Sequence, residues 1–94
     1  MKTMIQKSNI PNSLRCRREH AGLRQCDVAK ALGLVSSDRI SHWEKGVAVP
    51  NIVNLFKLSV LYNVPPQKLY EELFMAVEHE ILKAASPHAG NSVD

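Results

Sequence analysis

Four side chains able to ligate a metal fall within one stretch of this chain: Cys16, His20, Cys26 and His42. Cys16 and His20 are four apart, which on a helix puts a thiol and an imidazole on one face within reach of a single ion. Neither a C-x-x-C nor an H-x-x-x-H pair accompanies them, so no metal and no cofactor is expected, and two isolated thiols fit a reducing compartment. Catalytic chemistry is equally unsupported. There is no glycine-rich phosphate loop, no Ser-His-Asp or Cys-His order with a motif, and no paired carboxylates in a patterned context, so the chain does not read as an enzyme. What remains is a polar set, Asp38, Ser41, His42 and Lys45, that a helical wheel turns outward, opposite Ile40 and Trp43.

The elements that would carry these residues are helical. Pro11 with Asn12 or Ser13 marks the start of a first helix over 13–20, closed at Gly22, with Leu14, Arg18 and Ala21 inward. A second helix covers 25–32, with Val28 and Leu32 on one face, the small Ala29 beside them and Gly33 as its stop. A third covers 37–45, with Ile40 and Trp43 inward and Gly46 as its stop. Pro50 and Asn51 open a fourth helix reaching Tyr62, its core stripe read as Ile52, Leu55, Phe56, Ser59 and Tyr62, with Asn63 as a left-handed cap. From Pro66 onward, Leu69, Leu73, Val77 and Ile81 recur every fourth residue, with Phe74 and Leu82 beside them. This predicts a fifth helix of about five turns.

Ninety-four residues allow one small domain, which buries only about two thirds of its unfolded surface. With 45% hydrophobic and 22% charged residues, the composition is that of an ordinary globular protein. No apolar run approaches the roughly 18 to 20 residues that span a bilayer, and 1–12 lacks a signal-peptide core, so a cytoplasmic protein without membrane contact is expected. The net charge of +3 is unevenly spread. Residues 15–45 hold seven Lys or Arg against four Asp or Glu, and residues 46–94 hold three against five. Positive charge is thus concentrated where the three short helices lie, as a polyanionic partner would require.

Within Leu14 to Pro50 the elements G-L-x-Q, V-A-x-A-L-G and I-S-x-W-E-x-G appear in order, followed by Pro50-Asn51-Ile52. This pattern resembles the helix-turn-helix domain of the phage-repressor and Cro type found among bacterial regulators. The resemblance implies an all-α, five-helix repressor-like domain, here with an extended C-terminal helix. It divides the chain into a flexible N-terminal arm (1–11), the DNA-binding domain (12–74), an extension of the last helix (75–84) and a disordered tail (85–94). It further implies a sequence-specific, double-stranded-DNA-binding transcriptional regulator of bacterial or phage origin, acting at the nucleoid. The third helix would lie in the major groove while the second crosses the backbone.

Carried across residue by residue, the resemblance puts Gln25 at the first turn of the second helix, where such domains contact backbone or base. Ser37, Asp38 and His42 fall at base-reading positions with Ser41 close by, and Ser37 is also placed to cap its helix. Arg24, Ser36, Arg39 and Lys45 are the phosphate candidates, together with the arginines of the first helix. Arg18 and Glu44 match an ion pair tying the first helix to the third, which a carboxylate in that position needs if it is to be buried. Two departures are visible. The segment Leu34–Ser37 is one residue longer than the commonest form, and Arg17 stands where an apolar residue is usual, its stem free to lie over the core.

Domains of this type read two half-sites as homodimers. The stripe Leu69, Leu73, Val77 and Ile81 is the candidate dimerisation surface, with completion of the intramolecular core as the competing use. The same helix supports a second reading, an antitoxin-like partner that binds another protein through its C-terminal helix, DNA binding being secondary.

Overall fold

A computed structural model describes residues 9–85. Among these residues there are six helices and no strands: α1 (Leu14–His20), α2 (Gln25–Leu32), α3 (Asp38–Lys45), α4 (Ile52–Tyr62), α5 (Pro66–Leu69) and α6 (Glu71–Ala85). The arm expected over 1–11 is described only from Asn9, and of the tail expected over 85–94 only Ala85 is described, as the last residue of α6; the rest of both lies outside the described residues.

The core is formed by Leu14 of α1, Val28, Ala29 and Leu32 of α2, Ile40 and Trp43 of α3, Leu58 and Tyr62 of α4, and Leu69 of α5. The three short helices bury the residues their periodicity indicates, with one exception: Ala21 is exposed, and α1 is held instead by Leu14 and by Arg18. Gly33 and Gly46 take the left-handed conformation (φ 78° and 80°) that closes α2 and α3. At Gly46 the backbone of the chain's start also passes close by, Ile10 donating its N–H to the Gly46 carbonyl at 2.9 Å. Asn12 completes this corner. Its carboxamide oxygen accepts from the Leu14 N–H at the start of α1 (3.0 Å), and its Nδ2 donates to the Trp43 and Glu44 carbonyls at the end of α3 (3.2 and 3.3 Å).

α4 buries the expected face only in part: Tyr62 is in the core and Leu55 packs against it, but the helix is turned about its axis. The buried ridge is Asn54, Leu58 and Tyr62, whereas Ile52 and Phe56 are more than half exposed. Apolar residues surround this helix, so their spacing does not select a face; Asn63 caps it in the left-handed conformation (φ 56°) as expected.

The expected single fifth helix is divided at Tyr70 (φ −133°, ψ 47°). Ser13 supplies the cause. Its N–H donates to the Leu69 carbonyl (3.0 Å) and its hydroxyl to the Lys68 carbonyl (2.9 Å), claiming acceptors that a continuous helix would give to residues 72 and 73. Leu69 is consequently fully buried and belongs to the core rather than to a dimerisation stripe, whereas no residue of α6 is buried.

Candidate nucleic-acid interface

α3 is fixed from behind by Ile40 and Trp43, 1% and 4% exposed, and presents Asp38, Arg39, His42 and Lys45 to solvent. Among the described residues none of these four side chains has a hydrogen-bonding or ionic partner, so their donors and acceptors are available to a ligand. The outward face is flanked by two depressions. One, of about 330 Å3, is lined by Arg39, His42, Asn51 and Asn54; the other, of about 380 Å3, by Arg15, Gln25, Ser41 and Lys45 over a floor of Arg18 and Glu44.

The loop into α3 differs in detail from expectation. Ser37 occupies the N-cap position but its side chain makes no capping bond. Ser36, one residue earlier, accepts through its hydroxyl from the Asp38 N–H at 3.3 Å. Among the described residues the Ser37 hydroxyl has no partner, and Ser36, a phosphate candidate, is partly engaged.

At the start of α2 the Asp27 carboxylate accepts from the Arg24 backbone N–H (2.8 Å) and from its guanidinium (3.1 and 3.2 Å). The pair holds the Asp27 carboxyl below the usual range, chiefly through the guanidinium hydrogen bond, and holds Arg24, with its side chain 79% exposed, over the helix N-terminus. Gln25, next in sequence, is half-buried and donates from Nε2 to Oε1 of Glu44 at 3.0 Å.

The structure brings Arg18 and Glu44 together as a two-point pair, Nε to Oε2 at 2.5 Å and Nη2 to Oε1 at 3.1 Å, while Nη1 donates to the Leu23 carbonyl at 2.9 Å. The Arg18 and Glu44 side chains are only 11% and 5% exposed, and the hydrogen bond with Glu44 raises the arginine pKa above its ordinary value. The buried Tyr62 hydroxyl is likewise pushed up, first by burial and then by the Glu44 charge.

Cys16 Sγ and His20 Nδ1 are 3.9 Å apart, but Cys26 and His42 do not join them, and among the described residues no three metal-binding side chains gather. Arg17 is half-buried beside Pro11, Lys68, Glu71 and Met75. Leu73, Val77 and Ile81 stand 41%, 49% and 60% exposed on α6. Two features of the site were missed from sequence: Asn51, read only as a helix start although it lines the His42 depression, and the Gln25–Glu44 bond, which has no local signal.

No helix among the described residues is long and apolar enough to cross a membrane. A comparison with curated proteins finds no match. A family model for the helix-turn-helix matches residues 14–69, from the first residue of α1 to the last of α5. With more than half of the chain matched and the all-helical fold around it, this protein belongs to the Cro/C1-type helix-turn-helix family of DNA-binding regulators.

Proposed function

We propose that this protein is a non-catalytic, homodimeric transcriptional regulator that acts in the bacterial cytoplasm by reading a pseudo-palindromic operator in double-stranded DNA. α3 enters the major groove, with Ser37, Asp38, Ser41 and His42 at base edges, and Gln25 at the first turn of α2 contacts backbone or base. Arg24, Ser36, Arg39 and Lys45 meet phosphates. The observation that carries this reading is the row of partner-free polar side chains on a helix whose opposite face is locked in the core.

For the dimer, the support is α6. Leu73, Val77 and Ile81 are exposed on one helix with no buried residue, and Leu73 and Val77 border an apolar groove of about 530 Å3 that also takes in Ile52, Phe56 and Tyr70. Exposed apolar area of this kind marks an interaction surface. The same groove favours, as a second reading, a heterologous protein partner seated there.

Selection of bound sequences from random duplex DNA tests the function directly, and enrichment of a two-fold-symmetric site is the expected result. Arg24, Arg39 and Lys45 from two protomers give six cationic phosphate contacts, so log Kd should rise with log salt at a slope of about 5. Absence of any enriched duplex contradicts the DNA reading. Sedimentation equilibrium of the full chain tests the dimer. A dimer mass that falls to monomer in Val77→Glu/Ile81→Glu is expected, and a monomer for the unmodified chain contradicts it.

A further inference from the structure

We propose that Glu44, besides pairing with Arg18, is a positioning residue for DNA binding that acts through Gln25; this rests on the DNA-binding reading above. The Glu44 carboxylate lies 5% exposed at the floor of the depression between α1, α2 and α3. Arg18 by itself reaches both of its oxygens. The additional bond from Gln25 Nε2 is therefore not needed to neutralise the carboxylate, and it comes from the one α2 residue at the rim of that depression.

An ionised carboxylate only accepts hydrogen bonds, so it dictates which end of the Gln25 amide turns inward. Nε2 must face Glu44. One Nε2 proton is then occupied, and the second is directed elsewhere in a fixed orientation rather than sampling rotamers and amide flips. Around it the depression is lined by Lys45, Ser41 and Arg15. A fixed amide donor flanked by a hydroxyl and two cations is suited to an anion, so the DNA atom Gln25 meets is a phosphate oxygen, and the amide sets the register of the backbone against α2.

The cost of losing this orientation is that of re-ordering one long side chain on binding, which corresponds to about a 2- to 10-fold loss of affinity. The experiment is a double-mutant cycle on the full chain, using as probe the duplex enriched by selection with the unmodified protein. Glu44→Asp keeps the charge opposite Arg18 but withdraws the carboxylate from Gln25 by one methylene. Gln25→Met keeps the bulk and removes the amide. Affinities are measured in the cold, with the folded fraction checked by circular dichroism. Because Glu44→Asp can unfold part of the population, the Gln25 side-chain amide signals of the folded fraction are also followed by NMR.

The proposal expects Glu44→Asp to weaken binding about 2- to 10-fold in the presence of Gln25 and to leave it unchanged in the Gln25→Met background. The two Gln25 amide proton shifts should be widely separated in the unmodified protein and draw together in Glu44→Asp, while the selected sequence stays the same in Gln25→Met. Equal losses in both backgrounds, or no loss in either, overturn the proposal while leaving DNA binding intact. A changed sequence preference in Gln25→Met overturns the phosphate assignment. If the unmodified protein enriches no duplex, the DNA reading and this proposal fall together.

Discussion

Replacing Glu44 with Ala removes one carboxylate and leaves three donors facing a gap: Arg18 Nε and Nη2, and Gln25 Nε2. Arg18 cannot relieve the problem by losing its proton, since guanidinium stays charged in proteins. With its side chain 11% exposed, it has little access to water either, and only Nη1 keeps its bond, to the Leu23 carbonyl. Breaking a buried pair in this way costs about 3–5 kcal/mol. Domains of this size hold a total stability toward the lower end of about 5–15 kcal/mol, so the variant should lose a large share of its stability. At about 4–8 °C per kcal/mol, the melting temperature should fall by roughly 12–40 °C. Thermal melts followed by circular dichroism and by emission of the single, buried Trp43 report it. Arg18→Met/Glu44→Met removes both charges and should recover most of the loss, because apolar replacement of a buried pair is often neutral or better. A Glu44→Ala melt within about 4 °C of the unmodified protein, the shift expected for no more than about 1 kcal/mol, or a double variant as unstable as the single, would refute the reasoning.

Three further outcomes are expected. Gly33→Ala and Gly46→Ala both force a side chain into left-handed backbone at about 1–2 kcal/mol, but only at Gly46 would the new Cβ meet the Ile10 N at 2.7 Å and the Asn9 Cβ at 2.9 Å; urea titration should show Gly46→Ala clearly the worse, and equal losses would contradict the close passage of the chain's start. Tyr62 and Tyr70 bury hydroxyls with no partner among the described residues, so Tyr62→Phe and Tyr70→Phe should be neutral or up to about 1 kcal/mol more stable at pH 7. Burial pushes Tyr70 up to about 12 against about 10 unfolded, so stability is full below that unfolded value and falls as pH rises between the two; the Phe variant should flatten this alkaline limb, and an unchanged slope would remove Tyr70 as its cause. The Asp27 carboxyl is depressed by Arg24, so its contribution is present above about pH 4 and lost as pH falls below it; Asp27→Asn should flatten the acid limb of a pH-dependent melt, and an unaltered limb would show the pair to be irrelevant to stability.

The three short helices were legible because each carries few apolar residues at helical spacing and ends at a glycine: Val28 and Leu32 before Gly33, Ile40 and Trp43 before Gly46. α4 was legible as a helix but not in its orientation. Ile52, Val53, Phe56 and Val60 are as apolar as Leu58, and the ridge that is buried begins with a polar residue, Asn54. The break at Tyr70 carried no local signal either, since the apolar steps of four run through it without Gly or Pro. It is imposed by Ser13, 55 residues away from the Lys68 carbonyl it takes. At the candidate interface the outward residues of α3 followed from the inward ones. The bond that fixes Gln25 depends on the long-range placement of Glu44, and the bond from the Asp38 N–H to Ser36 rather than Ser37 depends on loop geometry, neither of which periodicity encodes.

Whether α3 reads base edges is decided by selection from random duplex DNA repeated with Ser37→Ala and His42→Ala. Each variant should stay folded, still bind DNA through its phosphate contacts, and lose or change its preference at one position per half-site. Selected sequences identical to those of the unmodified protein, with binding retained in both variants, would contradict base reading by α3.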